Sequence, residues 1–402
     1  MIDLNEFVSK YVTFRNKSMF LSDIETNRSI LQQKIEGKSL LVIGGAGSIG
    51  ASYIRAMLPF RPSKLLVIDL NENGLTELTR SLRSTYGLFL PQEYRTYALN
   101  FSDPIFERIF REEKGFDIVA NFSAHKHVRS EKDKYAVQAL LENNVLKAQK
   151  LLELLVEFPP KHFFCVSTDK ATNPVNVMGA SKSIMEELIM AYRDKFKVTA
   201  ARFANVAFSN GSLLDSFVQR LIKRQPLVAP YDVKRYFVSL EESGQICMLA
   251  CMLGQSGEIF FPKLNEDQMI TFTSICDRFL EECGFETKIC VNEEEAKSYA
   301  QKMSRNHRRY PVVYFKSDTT GEKTYEEFYE PNEQVNLTKF LALGIIETKN
   351  KHSRQELFDL LNLLMTIFQQ SNFTKSELIG QLKQFLPHFT HEEKRKNLDQ
   401  KM

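Results

Sequence analysis

The sequence predicts an α/β fold, a doubly wound parallel sheet followed by a smaller mixed α/β lobe. Three observations carry this reading. Short runs of branched and aromatic residues recur from Lys38 onward, segments of helical period separate them, and the first run ends in a glycine-rich turn. Several runs are apolar on both faces, which suits strands buried between two helical layers. Regular alternation of strand and helix is the pattern of a parallel sheet wound on both faces.

Residues 1–37 are polar and of mixed charge, with helical spacing at Ile24, Ile30, Leu31 and Ile35. They read as a helical N-terminal extension serving packing or oligomer contact. The strand candidates that follow are 38–44, 64–69, 94–100, 117–123, 162–168 and 198–204, and together they delimit a first domain over 38–206. Between the fourth and fifth runs, Leu140, Leu141, Val145, Leu151 and Leu155 mark a helix over 136–156. After residue 206 the alternation loosens into short strands at 258–262, 288–292 and 311–315 mixed with helices. Residues 207–350 therefore read as a substrate-binding lobe that returns elements to the first sheet. Residues 351–402 read as C-terminal helices, two of them over 352–386, and a charged tail.

The chain has 402 residues, 43% hydrophobic and 26% charged, with a net charge of +3. Near-neutrality without a long basic run argues against nucleic acid or an acidic membrane surface as partner. No apolar run of the roughly 18 or more residues needed to span a bilayer is visible, and the N-terminus lacks a signal-peptide pattern. Six cysteines without a C-x-x-C pair read as thiols of a reducing compartment, so a soluble cytoplasmic protein is expected. His125 and His127 have no third ligand nearby in the sequence, so no metal is expected. Cys247 and Cys251, and the stripe from Leu361 to Met365, read as packing faces of helices.

The glycine-rich turn is more informative. Gly44, Gly47 and Gly50 are spaced G-x-x-G-x-x-G at the end of the first strand, and Ser48 and Ile49 open the next helix. A phosphate approaches backbone only where side chains are absent, and a helix N-terminus offers it free N–H groups. Asp69 follows 19 residues past Gly50 at the end of the second strand. An acid there accepts hydrogen bonds from ribose hydroxyls and repels a 2′-phosphate. The combination predicts a dinucleotide site of Rossmann type, favouring NAD over NADP without excluding the latter. Asp103, after the third strand, reads equally as an adenine contact or a loop acid.

The fifth strand runs into S-T-D-K-A-T-N-P-V-N-V-M-G-A-S-K over 167–182. With F-S-A-H-K-H-V (122–128), R-F-A-N-V (202–206), S-N-G-S (209–212), K-R-Y-F (234–237) and G-E-K-T-Y-E-E-F (321–328), this segment resembles the extended short-chain dehydrogenase/reductases. More narrowly, it is similar to the nucleotide-sugar 4,6-dehydratases of bacterial polysaccharide biosynthesis. One departure stands out. The Tyr-x-x-x-Lys pair of short-chain dehydrogenases is here Met178 and Lys182, and a thioether transfers no proton. The retaining subgroup of UDP-N-acetylglucosamine 4,6-dehydratases includes members with Met at this place, whereas the inverting subgroup typically keeps Tyr.

The resemblance implies dehydration of UDP-N-acetylglucosamine to UDP-4-keto-6-deoxy-N-acetylglucosamine with retention at C5. C4 is oxidised, a base takes the C5 proton, water leaves from C6 with the help of an acid, and the hydride returns to C6. NAD is then recycled and stays tightly bound. The resemblance assigns Asp169 as the acid, Lys170 as the base and Thr168 to the 4′-hydroxyl. It assigns Lys182 to the nicotinamide ribose, with Met178 in the place of the missing phenol. A free lysine titrates near about 10.4 and a useful base near roughly 7 to 8, so burial and Lys182 are expected to bring Lys170 down against Asp169. Arg235 is expected to grip the diphosphate, and Asn205 and Ser209 to contact the nucleotide. Lys126 is open between substrate binding and loop stability, and Glu322 and Glu326 are candidates for the uridine ribose. Relatives pair through the helices after the fourth strand and around Lys182, so a homo-oligomer, dimer or higher, is expected. Three rival readings stay open: an inverting 4,6-dehydratase/5-epimerase, a 4-epimerase, and a non-catalytic NAD-binding regulator.

Overall fold

The computed structural model describes residues 2–127, 131–304, 307–317, 327–348 and 351–391. The strands expected in the first half are observed as β1 (Ser39–Ile43), β2 (Lys64–Asp69), β3 (Glu93–Ala98), β4 (Ile118–Asn121), β5 (His162–Val166) and β6 (Val198–Ala201). They lie side by side in the order β3-β2-β1-β4-β5-β6, all parallel. Glu258–Pro262 extends the sheet in parallel with β6, and Leu343–Glu347 and Gln334–Asn336 close that edge antiparallel. The fold is thus α/β with a large parallel sheet.

Alternation along the strands builds two cores. Leu40 and Val42 of β1 join Ile54, Met57 and Ile246 on one face, whereas Leu41 and Ile43 join Val145, Leu151 and Ile184 on the other. Burial on both sides explains why these runs carry no polar alternation. Chain order reverses between β1 and β4, so a crevice opens at their carboxyl ends, where such sheets receive ligands.

Three small sheets form beside the large one after residue 204. They pair Asn205–Val206 with Phe237–Val238, Lys234–Arg235 with Ile270–Thr271, and Arg309–Phe315 with both Glu286–Ile289 and Leu227–Pro230. The N-terminal extension packs onto both regions. Phe7, Val8 and Val12 enter the core of the small lobe, and Leu31 and Ile35 enter one sheet core, while Ile30 turns out to solvent. Arg15 donates to both oxygens of buried Glu242 (2.8 and 2.7 Å), and buried Asp23 accepts the N–H groups of Leu341 and Ala342 (2.7 and 2.8 Å).

The chain's own C-terminal helices, Arg354–Phe368 and Lys375–Phe385, pack on the helices after β4 and around Lys182. Leu360, Leu361, Leu364, Leu378 and Leu382 share a core with Leu140, Leu141, Ile184 and Leu188. Of the Val177–Met190 helix, every residue except Ser183 is buried. Leu361 and Leu364 of the expected stripe pack inward, whereas Met365 is partly exposed. The charged tail after His391 lies outside the described residues. Among the described residues, no helix is long and apolar enough to cross a membrane.

Candidate active site

The crevice begins at the glycine turn. Gly44 adopts a positive φ of 75°, and a Cβ there would lie 2.7 Å from the backbone nitrogen of Ser123 on the β4 exit loop. At Gly50 a Cβ would meet the Gly44 carbonyl at 2.4 Å, so the Ser48–Met57 helix packs directly on the turn. Around Gly47 the nearest such atom is at 3.4 Å, which leaves that side of the backbone approachable. Asp69 reaches across from β2 and accepts the N–H groups of Ala46 (3.0 Å) and Asn71 (2.9 Å), bracing the turn from the place expected of a ribose-binding acid. The set fits a dinucleotide pyrophosphate at Gly47–Ser48. Ile49 is half-buried against the sheet core. Asp103 accepts the N–H of Asn100 (3.0 Å) and so holds its own loop.

Two further loops close over this turn. Ser48 Oγ accepts the N–H of Asn210 (2.8 Å), and the Asn210 carbonyl accepts from Lys126 Nζ (2.9 Å). The S-N-G-S segment, with buried Ser209, and the β4 exit loop are therefore tied to each other and to the helix that opens the nucleotide site. Asn205 lies on the strand Asn205–Val206, paired with Phe237–Val238, and Arg235 on Lys234–Arg235, paired with Ile270–Thr271. Asn205 N–H donates to the Tyr236 carbonyl (3.2 Å), and the buried Arg235 guanidinium donates to the Lys234 carbonyl (2.9 Å). Tyr236 packs its ring on Phe328, whose carbonyl accepts from Thr172 and Arg202, so this lobe reaches the loop after β5. Glu322 and Glu326 lie outside the described residues.

At the end of β5, Thr168 caps a short 3₁₀ turn, Asp169–Ala171. Asp169 is buried, and its Oδ1 accepts both the Thr168 hydroxyl (2.8 Å) and Lys170 Nζ (3.0 Å). The Lys170 side chain is about one-fifth exposed. The Asp169 carboxylate is thus in direct contact with the Lys170 amine. Lys182 is fully enclosed and donates to the Val166 carbonyl (2.8 Å) beneath the strand end. Burial pushes its ammonium below the usual lysine value, against the opposing pull of Cys165 and Glu186. Met178 is buried in the first turn of the same helix.

Several residues of this site were not singled out from the sequence. Gly179 has no room for a side chain, because a Cβ would lie 2.3 Å from the Lys170 carbonyl, so the T-D-K loop rests on the helix there. Asn144 sits in a π-helical turn, Glu142–Leu146, between the helices Lys134–Leu141 and Lys147–Glu157. It accepts the His125 N–H (2.8 Å) and donates to the His125 carbonyl and to Ser181 Oγ (both 3.0 Å), pinning the β4 loop to the helix of Lys182. The paired Asn143 and Asn144 inside an apolar stripe were the available clue. Arg202 pairs in buried, two-pronged fashion with Glu186 (2.7 Å) and Glu333 (3.0 Å) behind β5, and Ser167 donates to Glu186. A cavity of about 790 Å³ along the outer face of the Ser48–Met57 helix touches this machinery only at Ala46, Ser48 and Asn210. None of Thr168, Asp169 and Lys170 lines it.

Comparison with known proteins shows the family. A family model described as polysaccharide biosynthesis protein matches residues 40–347. An uncharacterized membrane protein of Methanocaldococcus jannaschii is 31% identical over 77% of this chain and 85% of its own length. The capsular polysaccharide biosynthesis protein CapD of Staphylococcus aureus is 25% identical over 84% of this chain, which spans only 55% of that longer protein. A UDP-N-acetylglucosamine 4,6-dehydratase (inverting) of Campylobacter jejuni is 27% identical over 57% of this chain and 67% of its own length. Among solved structures, Pen from Bacillus thuringiensis aligns with a TM-score of 0.64 at 21% identity, covering 88% of this chain and 98% of Pen. That likeness is one of fold.

Proposed function

Since the chain belongs to the polysaccharide biosynthesis protein family, we propose that it is a sugar-nucleotide 4,6-dehydratase acting on UDP-N-acetylglucosamine with a tightly held NAD. The observation that supports this most is the Thr168–Asp169–Lys170 cluster at the carboxyl end of β5, beside the helix of Met178 and Lys182. A 4-epimerase needs no acid and base at C6 and C5, whereas this cluster offers both. When bound, the nicotinamide supplies the hydride acceptor and donor for C4 oxidation and C6 reduction.

The 3.0 Å contact between Asp169 and Lys170 gives their chemistry a definite form. As an ion pair they are in the wrong protonation state for elimination. Transfer of one proton across the contact yields a carboxylic acid and a neutral amine, the state in which Asp169 protonates the departing C6 hydroxyl and Lys170 accepts the C5 proton. The C5–H bond breaks as the C6–O bond breaks, water leaves, and the ion pair is re-formed; Lys170 then returns its proton to C5 as C6 is reduced and regains one from solvent, matching the proton that oxidation of the 4′-hydroxyl releases to solvent. Thr168, donating to the same carboxylate oxygen, keeps Asp169 oriented, and it is the residue we assign to the sugar 4′-hydroxyl. Arg235 serves the diphosphate, Asn205 and Ser209 the nucleotide, Lys182 the nicotinamide ribose, and Lys126 the sugar side of the crevice.

Retention at C5 is the reading that Met178 supports, since no phenol stands there to donate from a second face. Inversion is the second reading, favoured by the C. jejuni relative named as inverting. The test is to incubate the purified protein with UDP-N-acetylglucosamine and no added cofactor, then follow mass and proton NMR. Loss of one water with a new C6 methyl signal supports the dehydratase, and the ring couplings distinguish retention from inversion. No change, even with NAD, NADP and other UDP-sugars supplied, overturns it in favour of a binding protein. Asp169→Asn and Lys170→Met should each abolish dehydration while leaving UDP-sugar affinity within about threefold, measured by calorimetry.

A further inference from the structure

The helix that carries Met178 and Lys182 starts with backbone N–H groups that have no partner inside the helix. Asn176, its cap, accepts the N–H of Gly179 (2.7 Å). The N–H of Met178 donates instead to Oε1 of Glu131 (3.3 Å), a residue 47 positions earlier. Oε2 of Glu131 is in turn bonded to Nε2 of His391 (3.1 Å), and both side chains are at least nine-tenths buried. A buried carboxylate is costly without a donor partner, and His391 is that partner, delivered from the far end of the chain. The neighbouring Thr390 N–H donates to the Pro174 carbonyl (3.2 Å), Lys383 Nζ donates to the His391 carbonyl (3.1 Å), and the Phe389 ring lies edge-on to the imidazole. The C-terminal segment therefore grips the loop and the helix start on which the Asp169–Lys170 pair rests.

We propose that Glu131 and His391 form a positioning pair for the proposed reaction, holding the first turn of the Met178–Lys182 helix in register so that Lys170 meets the substrate. The route is short. His391 fixes Glu131, Glu131 fixes the Met178 amide, and Gly179, the next residue, lies against the Lys170 carbonyl with no space between. Where a short-chain dehydrogenase has a phenol at position 178, this chain has a buried thioether and braces the backbone of the same residue from behind.

The proposal rests on Lys170 being the base, and its test separates the two ideas. His391→Ala should lower kcat by about tenfold or more with KM within about twofold, since small misplacements of reacting groups cost rate more than binding. His391→Gln, whose amide nitrogen stands where Nε2 does, should restore most of that rate. Hydrogen exchange of the Met178 amide, read in the full chain without substrate, should speed up in His391→Ala and in Glu131→Met, which removes the acceptor, and stay slow in His391→Gln. Unchanged kcat and unchanged exchange in His391→Ala would overturn the proposal, as would a kcat loss that His391→Gln fails to rescue. If the wild-type protein turns over no UDP-N-acetylglucosamine, the function reading fails, and the exchange measurement alone decides the positioning role.

Discussion

Replacing Gly47 and Gly50 separately by alanine distinguishes a glycine kept for a ligand from one kept for packing. At Gly50 the added methyl would lie 2.4 Å from the Gly44 oxygen and 2.8 Å from Gly45 Cα, both backbone atoms. That is about 1 Å inside contact distance and costs roughly 1–3 kcal/mol of overpacking, against about 1 kcal/mol gained in helix propensity. Gly47 adopts φ −72° and ψ 160°, a region open to alanine, and its nearest obstacle is at 3.4 Å. There the entropy lost from the unfolded chain, about 0.4–1 kcal/mol in favour of alanine, offsets a helix-cap preference of similar size. Gly47→Ala should therefore fold as stably as wild type within about 0.5 kcal/mol yet lose its bound dinucleotide, because the methyl occupies the approach of the phosphates. Gly50→Ala should lose both. The assay is nucleotide released on heat denaturation, per mole of chain, beside urea unfolding of cofactor-stripped protein. Stripping matters because a ligand bound only to the native state raises apparent stability. Full nucleotide content in Gly47→Ala, or a stripped Gly50→Ala as stable as wild type, would refute the reasoning.

Arg202→Met should destabilise the fold by about 3–5 kcal/mol in urea titration, because it strands two enclosed glutamates, Glu186 and Glu333, without their cation. His162 should make stability sensitive to acid. Burial, with help from Lys197 and Lys34, pushes the imidazole down from 6.5 to about 3, so the folded state keeps it neutral where the unfolded state binds a proton. Stability should then be full above pH 6.5 and fall as the pH drops toward 3, and His162→Gln should flatten that part of the profile. Removing residues 351–402 should expose the apolar face around Leu140, Leu141, Ile184 and Leu188, giving dimers or aggregates by light scattering where the full chain gives neither through that face.

The sequence by itself determined the parts that depend on neighbours along the chain. Strands buried on both faces announce themselves as apolar runs, and every strand expected between Lys38 and residue 204 is present within a few residues. The glycine turn, Asp69 and the T-D-K segment stand at strand ends, as their positions next to apolar runs imply. What the tertiary structure decided is everything joined across long separations. Periodicity shows that the helices after β4 and β5 have an apolar face, but not what covers it. A second copy and the chain's own C-terminal helices would leave the same pattern, and the fold chose the latter. The direction of Lys182, the Arg202 network and the reach of His391 back to Glu131 depend on packing between segments as much as 260 residues apart. A single histidine or glutamate carries no mark of its partner, since a buried polar contact is specified by tertiary geometry rather than by local order.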